Sequence, residues 1–309
     1  MAGRRRKKSG GRSYAWRYRG RIVACVFVEV IIICALVIMI GWNKGVKEWF
    51  EQFEQPVLKE VDISGINSPN AILMQARGGK ILGEINGEAQ IYPASMTKIM
   101  TVILGIENFD DLDEKITLTD EMFTGLYEQD ATQAGFQPGE EVRVIDLLYG
   151  AMLPSGAECC IALADTISGS EADFAELMNK KARKLGMENT HFCDSTGLHN
   201  PDHYSTVKDI AVLMKYCIKN DTFREIVETS RHSTGVTNIH PDGITYYSTM
   251  FKNLSDPTVT GGKILGGKTG YTSEAGHCLV SFAEIEGREY IFVSAGASGA
   301  DGNTIPHIQ

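Results

Sequence analysis

The chain has 309 residues, 43% of them hydrophobic, and a formal net charge of −9. This composition is ordinary for a globular protein of one large domain or two small ones. Nine of the 30 basic residues lie within residues 1–21, which leaves 21 basic against 39 acidic residues in the rest of the chain. Nucleic-acid binding needs a basic surface, so an acidic body excludes DNA or RNA as an expected partner.

An apolar segment follows the basic residues and covers residues 22–42, with Glu29 as its one charged residue. About 20 apolar residues suffice to span a bilayer as a helix. Because basic residues favour the cytoplasmic side, we expect a cytoplasmic tail (1–21), a transmembrane signal-anchor (22–42), a stalk (43–60) and an extracytoplasmic domain (61–309). No small-x-small cleavage site follows the apolar segment, so an uncleaved, single-pass protein of the cell membrane is expected.

The chain contains seven cysteines and no regular cysteine spacing. An odd number without a pattern does not predict a disulfide framework. His199 and His203 have the i,i+4 spacing of a helical metal site, but Pro201 between them disfavours a helix. No metal site is therefore predicted.

The predicted elements form a central run of helices with strands before and after it. The patterns predict a strand pair (71–76 and 81–85) around a glycine turn, then helices at 95–107, 142–153, 157–167, 171–185 and 205–218, and finally strands at 276–284 and 290–295. Strands at both ends with helices between them predict an α+β fold, in which the N-terminal hairpin and the C-terminal strands share one antiparallel sheet.

The first candidate site is Ser95 with Lys98. A spacing of three residues on a helix places the serine hydroxyl and the lysine amine on one face. A serine hydroxyl needs a base to become a good nucleophile, and a neutral lysine could accept its proton. A second Ser-x-x-Lys, Ser205 to Lys208, is interpreted as a helix N-cap, and capping alone could equally explain Ser95.

Two further candidates follow along the chain. Ser155 lies at the break between two predicted helices, and Lys268, Thr269 and Gly270 precede the C-terminal strands. A lysine and a hydroxyl at a strand edge can hold a carboxylate, while glycine allows close approach of backbone to ligand. Residues 262–269 also match the phosphate-loop pattern G-x-x-x-x-G-K-T, but a predicted strand rather than a helix follows, so the nucleotide interpretation is rejected.

Taken together, these elements resemble the three ordered motifs of low-molecular-weight penicillin-binding proteins, and most of all the D-alanyl-D-alanine carboxypeptidases. The resemblance is carried by Tyr-Pro-Ala-Ser-Met-Thr-Lys (92–98), Leu-Pro-Ser-Gly-Ala (153–157), Gly-Lys-Thr-Gly-Tyr-Thr (267–272) and the stretch from Phe192 to Thr206. It covers about residues 62 to 300. The resemblance implies the penicillin-binding, serine β-lactamase-like transpeptidase fold, with a central antiparallel sheet and a helical subdomain.

The same resemblance implies a mechanism. Ser95 would attack the bond between two terminal D-alanines of a peptidoglycan stem peptide, and Lys98 would accept its proton. Ser155 would pass a proton to the leaving D-alanine, while Lys268 and Thr269 bind the terminal carboxylate. The backbone N–H groups of Ser95 and Tyr271, which follows Gly270, would form the oxyanion hole. No metal or organic cofactor is implied, and β-lactams would acylate Ser95.

The chain departs from the family pattern at two places. The middle motif of the family is Ser-x-Asn, whereas this chain has Ala157 at the third position, followed by Glu158. Either Glu158 substitutes for the missing amide or Ser155 alone suffices. The chain also stops at Gln309, so the helix that usually closes this fold is expected to be truncated or missing. The alternatives kept open are a D,D-endopeptidase, a β-lactamase of similar fold, and a catalytically weak penicillin-binding sensor.

Overall fold

The computed structural model describes residues 59–254 and 256–299. The predicted cytoplasmic tail, the predicted transmembrane segment and nearly all of the predicted stalk lie outside these residues. Within residues 59–254 and 256–299, no helix is both long enough and apolar enough to cross a membrane.

Ten strands and seven α-helices make up the described part of the chain. The strands are β1 (Asn70–Gln75), β2 (Ile81–Ile85), β3 (Lys115–Thr117), β4 (Glu141–Arg143), β5 (Arg231–Ser233), β6 (Thr245–Tyr247), β7 (Thr258–Val259), β8 (Gly262–Thr272), β9 (Gly276–Ile285) and β10 (Arg288–Ala297). The helices are α1 (Lys98–Asn108), α2 (Val144–Met152), α3 (Ala157–Ser168), α4 (Glu171–Leu185), α5 (Val207–Cys217), α6 (Asp221–Glu228) and α7 (Thr249–Asn253).

The central sheet has six strands in the order β2-β1-β10-β9-β8-β7. All of its pairs are antiparallel, and β1 lies against β10 with Asn70 opposite Ala295. The N-terminal hairpin and the C-terminal strands therefore share one sheet, as the sequence predicts. The α+β fold and its antiparallel sheet are confirmed.

Residues 98–105 of helix α1 are all buried, so this helix lies in the core of the described domain. It packs against α2, α3, α4, α5 and α6. Helix α5 packs against β1, β9 and β10, while α6 packs against β8. This arrangement places the N-terminus of α1 between the sheet and the helical subdomain.

Local details differ from the predicted boundaries. The helix predicted from Ser95 begins as a 3-10 turn (Ala94–Thr97) that continues directly into α1. The N-cap of α5 is Thr206 rather than Ser205, because the Thr206 hydroxyl accepts the Asp209 backbone N–H over 3.0 Å. The sequence patterns also miss α6 and the hairpin of β5 and β6.

Candidate active site

Ser95 lies in the 3-10 turn at the head of α1, and its Oγ is 3.1 Å from Lys98 Nζ. Neither this turn nor α1 has a side-chain hydrogen bond at its N-cap. Capping therefore does not explain Ser95. The short distance to an amine instead gives the hydroxyl a neighbouring group that could accept its proton.

Lys98 is 3% exposed, and its Nζ donates a hydrogen bond to the Thr196 carbonyl oxygen over 2.6 Å. Among the described residues, no carboxylate lies within ion-pair distance of this amine. The carbonyl contact fixes the direction of one N–H bond.

Ser155 lies in the loop between α2 and α3 and has a φ of 73°. This left-handed backbone conformation is uncommon for a residue with a Cβ and is found preferentially at functional sites. Its hydroxyl accepts a hydrogen bond from Lys268 Nζ over 2.9 Å. The loop thus turns Ser155 toward strand β8.

Lys268 is 1% exposed and donates hydrogen bonds to Ser155 Oγ and to the Thr269 carbonyl oxygen, each over 2.9 Å. Burial lowers the pKa of Lys268 well below its ordinary value, and the nearby charge of Lys98 lowers it further. Within residues 59–254 and 256–299 no carboxylate is paired with this amine. Because its charged form has no internal anion, this amine would be stabilised as an ammonium by an anion that a ligand brings.

Gly270 brings strand β8 against the serine. A Cβ atom at this position would lie 2.9 Å from the Ser95 backbone nitrogen and 3.1 Å from the Ala94 Cβ. The chain therefore needs glycine here for the close approach of two backbones. The next residue, Tyr271, lines the same cleft as Ser95.

One open cleft of about 390 Å³ lies at Ser95 and Lys98, whereas Ser155 and Lys268 are buried and are not part of its lining. Its lining includes Ser95, Lys98, Ala157 and Tyr271, together with residues 129–132, 196–199 and 272–274. The Tyr271 side chain is 59% exposed at the rim. The cleft has the size and the open end expected for the terminus of a peptide.

Ala157 lines the cleft, whereas the neighbouring Glu158 side chain turns away from it. Glu158 Oε1 accepts the backbone N–H groups of Ala134 and Gly135 over 2.6 and 2.9 Å. Burial raises the pKa of Glu158. Glu158 therefore holds the loop that continues into the cleft wall, and it does not replace the missing amide.

Every residue predicted for the site lies in or beside this cleft, and the rival patterns lie elsewhere. Ser205 Oγ is 2.8 Å from Thr190 Oγ1, and Lys208 forms an ion pair with Glu88 at the surface. Residues 262–272 form a continuous strand, so the phosphate-loop match has no structural basis.

Sequence reasoning assigned no role to several residues that support the site. Thr196 supplies the carbonyl that holds Lys98, and Thr249 Oγ1 lies 2.7 Å from Thr269 Oγ1. Asp194 Oδ2 lies 3.0 Å from His203 Nδ1. Asp194 and His203 both lie in the stretch from Phe192 to Thr206, whose family resemblance could have indicated a role for them.

Comparison with known proteins gives one consistent result. A sequence model of the family described as D-alanyl-D-alanine carboxypeptidase matches residues 57–299. The chain is 36% identical over 231 residues to the D-alanyl-D-alanine carboxypeptidase DacF of Bacillus subtilis, covering 74% of this chain and 57% of that protein. It is 33% identical over 262 residues to DacC of Escherichia coli, covering 77% of this chain and 58% of the relative.

Among solved structures, the Streptomyces K15 DD-transpeptidase superposes with a TM-score of 0.69 at 29% sequence identity. The superposition covers 77% of this chain and 93% of the neighbour. The penicillin-binding, transpeptidase-type fold expected from the sequence is thereby confirmed. The chain spans less than two thirds of the length of the Bacillus and Escherichia relatives, at 57% and 58%.

Proposed function

The chain belongs to the D-alanyl-D-alanine carboxypeptidase family, and from this premise we propose that it removes the terminal D-alanine from peptidoglycan stem peptides through an acyl-enzyme on Ser95. The observation that carries the proposal is a serine–lysine pair in an open cleft, together with a buried lysine on the strand that also supplies Tyr271 to the cleft lining. Among the described residues, this buried lysine has no carboxylate partner. The pair supplies a nucleophile and a base. The buried lysine supplies a site for the free carboxylate of a peptide C-terminus.

In the first step, Ser95 Oγ forms a bond to the carbonyl carbon of the penultimate D-alanine while its proton moves to Lys98 Nζ. The electron pair of the carbonyl bond moves to oxygen, which the Ser95 and Tyr271 backbone N–H groups stabilise. When the C–N bond breaks, the proton held by Lys98 Nζ passes through Ser155 Oγ to the departing amine, which restores the neutral Lys98 amine. Water then attacks the ester carbonyl and gives a proton to Lys98 Nζ. That proton returns to Ser95 Oγ as the ester C–O bond breaks, and the peptide leaves shortened by one D-alanine.

The substrate itself helps to place the protons. Two ammonium groups in one buried cleft repel each other, so the lysine pair favours a single charge. A substrate carboxylate beside Lys268 would stabilise the charge there. Lys98 would then be favoured as the neutral amine that the first step requires. β-Lactams would acylate Ser95 by the same route, as covalent inhibitors.

Release of D-alanine tests this proposal. The full chain in detergent is incubated with a stem pentapeptide ending in D-Ala-D-Ala, and free D-alanine is measured. Wild type and Ser205→Ala should release it at similar rates, whereas Ser95→Ala should release none above background. D-alanine release that survives in Ser95→Ala would overturn the proposal.

We also propose that residues 22–42 anchor the protein in the cell membrane, with residues 1–21 in the cytoplasm and the peptidase domain outside. The basic tail followed by an apolar segment supports this orientation. The Val61 N–H donates a hydrogen bond to the Leu82 carbonyl oxygen over 2.6 Å, which supports a domain boundary near residue 61.

Protease added to intact cells or spheroplasts should digest the domain, and N-terminal sequencing should find the extreme N-terminus intact. A mature N-terminus near residue 43 would contradict an uncleaved anchor.

A further inference from the structure

One carboxylate shapes the turn that holds the proposed base. Asp194 Oδ1 accepts the Thr196 backbone N–H over 2.8 Å, the Thr196 hydroxyl over 2.7 Å and the Gly197 backbone N–H over 2.6 Å. The carbonyl of the same Thr196 accepts the amine of Lys98 over 2.6 Å. The direction of that carbonyl therefore depends on the Asp194 side chain.

The other oxygen of Asp194 leads to the helix that carries Ser95. Asp194 Oδ2 lies 3.0 Å from His203 Nδ1, and His203 Nε2 lies 2.9 Å from Thr97 Oγ1. His203 is 1% exposed. Thr97 stands between Ser95 and Lys98 in the chain, so the histidine connects the turn to the 3-10 turn at the head of α1.

The charge on Asp194 selects the tautomer of His203. The Cys193 backbone N–H also lies 3.2 Å from His203 Nδ1. A hydrogen bond from Cys193 needs an unprotonated Nδ1, whereas a hydrogen bond to the Asp194 carboxylate needs a proton there. Burial is the largest single influence and raises the pKa of Asp194, but the interaction with His203 and the hydrogen bonds from Thr196 and Gly197 together lower it to about 2. The ionised carboxylate is the nearer group and favours a proton on Nδ1. His203 Nε2 then accepts a hydrogen bond from the Thr97 hydroxyl.

We propose that Asp194 and His203 are positioning residues for acylation, which hold the Thr196 carbonyl against α1 so that the Lys98 lone pair faces Ser95 Oγ. The inference rests on the proposed function and extends it to residues that do not line the cleft. With one N–H directed to the Thr196 carbonyl, the amine cannot rotate freely. Displacement of the Thr196 carbonyl would free the Lys98 amine to rotate. A misplacement of a catalytic group by about 1 Å can lower the rate about 100-fold.

The chain offers a matched control at the same turn. Glu171 Oε1 accepts the Ser195 backbone N–H over 3.0 Å and the Ser195 hydroxyl over 2.6 Å. Both of these hydrogen bonds go to Ser195, and neither involves Thr196 or His203. A carboxylate-to-amide change at Glu171 tests whether any loss of a hydrogen bond to this turn slows the reaction. The same change at Asp194 tests the specific connection through Thr196 to Lys98.

The experiment measures acylation of the full chain by benzylpenicillin, resolved into the noncovalent dissociation constant and the acylation rate constant. Asp194→Asn should lower the rate constant by roughly 10- to 100-fold with little change in the dissociation constant. Glu171→Gln should leave both close to wild type. Thr97→Val, which removes only the far end of the connection, should lower the same rate constant, and its effect should not add to that of Asp194→Asn.

Thermal unfolding of each variant separates loss of fold from loss of positioning, and Thr97→Val carries the test if Asp194→Asn does not fold. A folded Asp194→Asn that acylates at the wild-type rate would overturn the inference, as would an equal loss in Glu171→Gln. A wild type that forms no penicillin adduct would overturn the proposed function and this inference with it. Wild-type acylation combined with unaffected variants would overturn the inference alone.

Discussion

Lys268 Nζ donates a hydrogen bond to Ser155 Oγ over 2.9 Å, although the two residues lie 113 positions apart in the chain. The contact joins strand β8 to the loop between α2 and α3. It gives the serine a proton-donating neighbour that is itself buried. The two residues therefore act as one unit at the carboxylate end of the substrate.

The carboxylate role of Lys268 makes a specific prediction. Lys268→Ala should lose roughly 10- to 150-fold in specificity constant for a peptide with a free C-terminal carboxylate. This range corresponds to about 1.5–3 kcal/mol, the contribution of a hydrogen bond to a charged group. A C-terminally amidated peptide should lose much less. Equal losses with both peptides would show that Lys268 acts by tuning Lys98 instead.

Ala157 and Ser155 can be compared in one D-alanine release assay. Because Ser155 retains the hydroxyl that moves a proton, Ser155→Ala should lose roughly 10²–10⁴-fold. Ala157→Asn restores the family's amide, but Ser155 already faces Lys268, so only a small gain is expected. A gain of about 100-fold or more from Ala157→Asn would favour the weak penicillin-binding sensor over the carboxypeptidase.

Glu158 should act on the fold and not on the chemistry. Glu158→Ala removes the acceptor of the Ala134 and Gly135 backbone N–H groups in a partly buried contact, and should cost about 1 kcal/mol per lost hydrogen bond. Glu158→Gln keeps an acceptor and removes a charge whose burial raises the pKa of the group. Because the pKa of Glu158 is raised in the folded protein, wild type is stabilised most at low pH, and this stabilisation is lost as pH rises through the raised pKa. The free energy of unfolding of Glu158→Gln should therefore be highest relative to wild type at neutral pH. Urea unfolding at pH 5 and pH 7.5 measures this, and a Gln variant that is least stable relative to wild type at pH 7.5 would contradict it.

Asp194 should contribute to stability in the opposite pH direction. Its pKa is lowered to about 2 from an ordinary 3.8, so its stabilising effect is present above pH 4 and is lost as pH falls toward 2. The shift corresponds to about 2 kcal/mol. Asp194→Asn should therefore be less stable than wild type at pH 6, and the difference should shrink below pH 4. Acid titrations of unfolding free energy measure it, and a difference that stays constant from pH 6 to pH 3 would argue against an ionised Asp194.

Local patterns predict much of this fold because burial and periodicity agree over long segments. Helix α4, for example, has a Ser170 N-cap, a buried apolar face and a C-terminal Gly186 with a positive φ. Helix α6 shows the same kind of signals over only eight residues, with an Asn220 N-cap and buried Phe223, Ile226 and Val227. So short a periodic segment is easily missed between longer ones.

The candidate site is predictable in its residues but not in its connections. Spacing alone places Ser95 near Lys98, because both lie on one turn of helix. The approach of Lys268 to Ser155, and of Asp194 to His203 and Thr97, depends on how β8, α3 and the turn at 194–197 meet in space. No local pattern encodes those contacts, and the choice between Glu158 and Ser155 as compensation for Ala157 likewise needs side-chain directions.

The identity of the nucleophile is the central claim, and mapping of the penicillin adduct tests it most directly. Wild-type protein is incubated with benzylpenicillin, digested and analysed by mass spectrometry, with Ser95→Ala and Ser205→Ala treated in parallel. Ser205 serves as the matched control because it begins a second Ser-x-x-Lys whose lysine is paired with Glu88. We predict a single adduct on the peptide containing Ser95, present in wild type and Ser205→Ala and missing from Ser95→Ala. An adduct that persists in Ser95→Ala, or that maps to Ser205, would contradict the account.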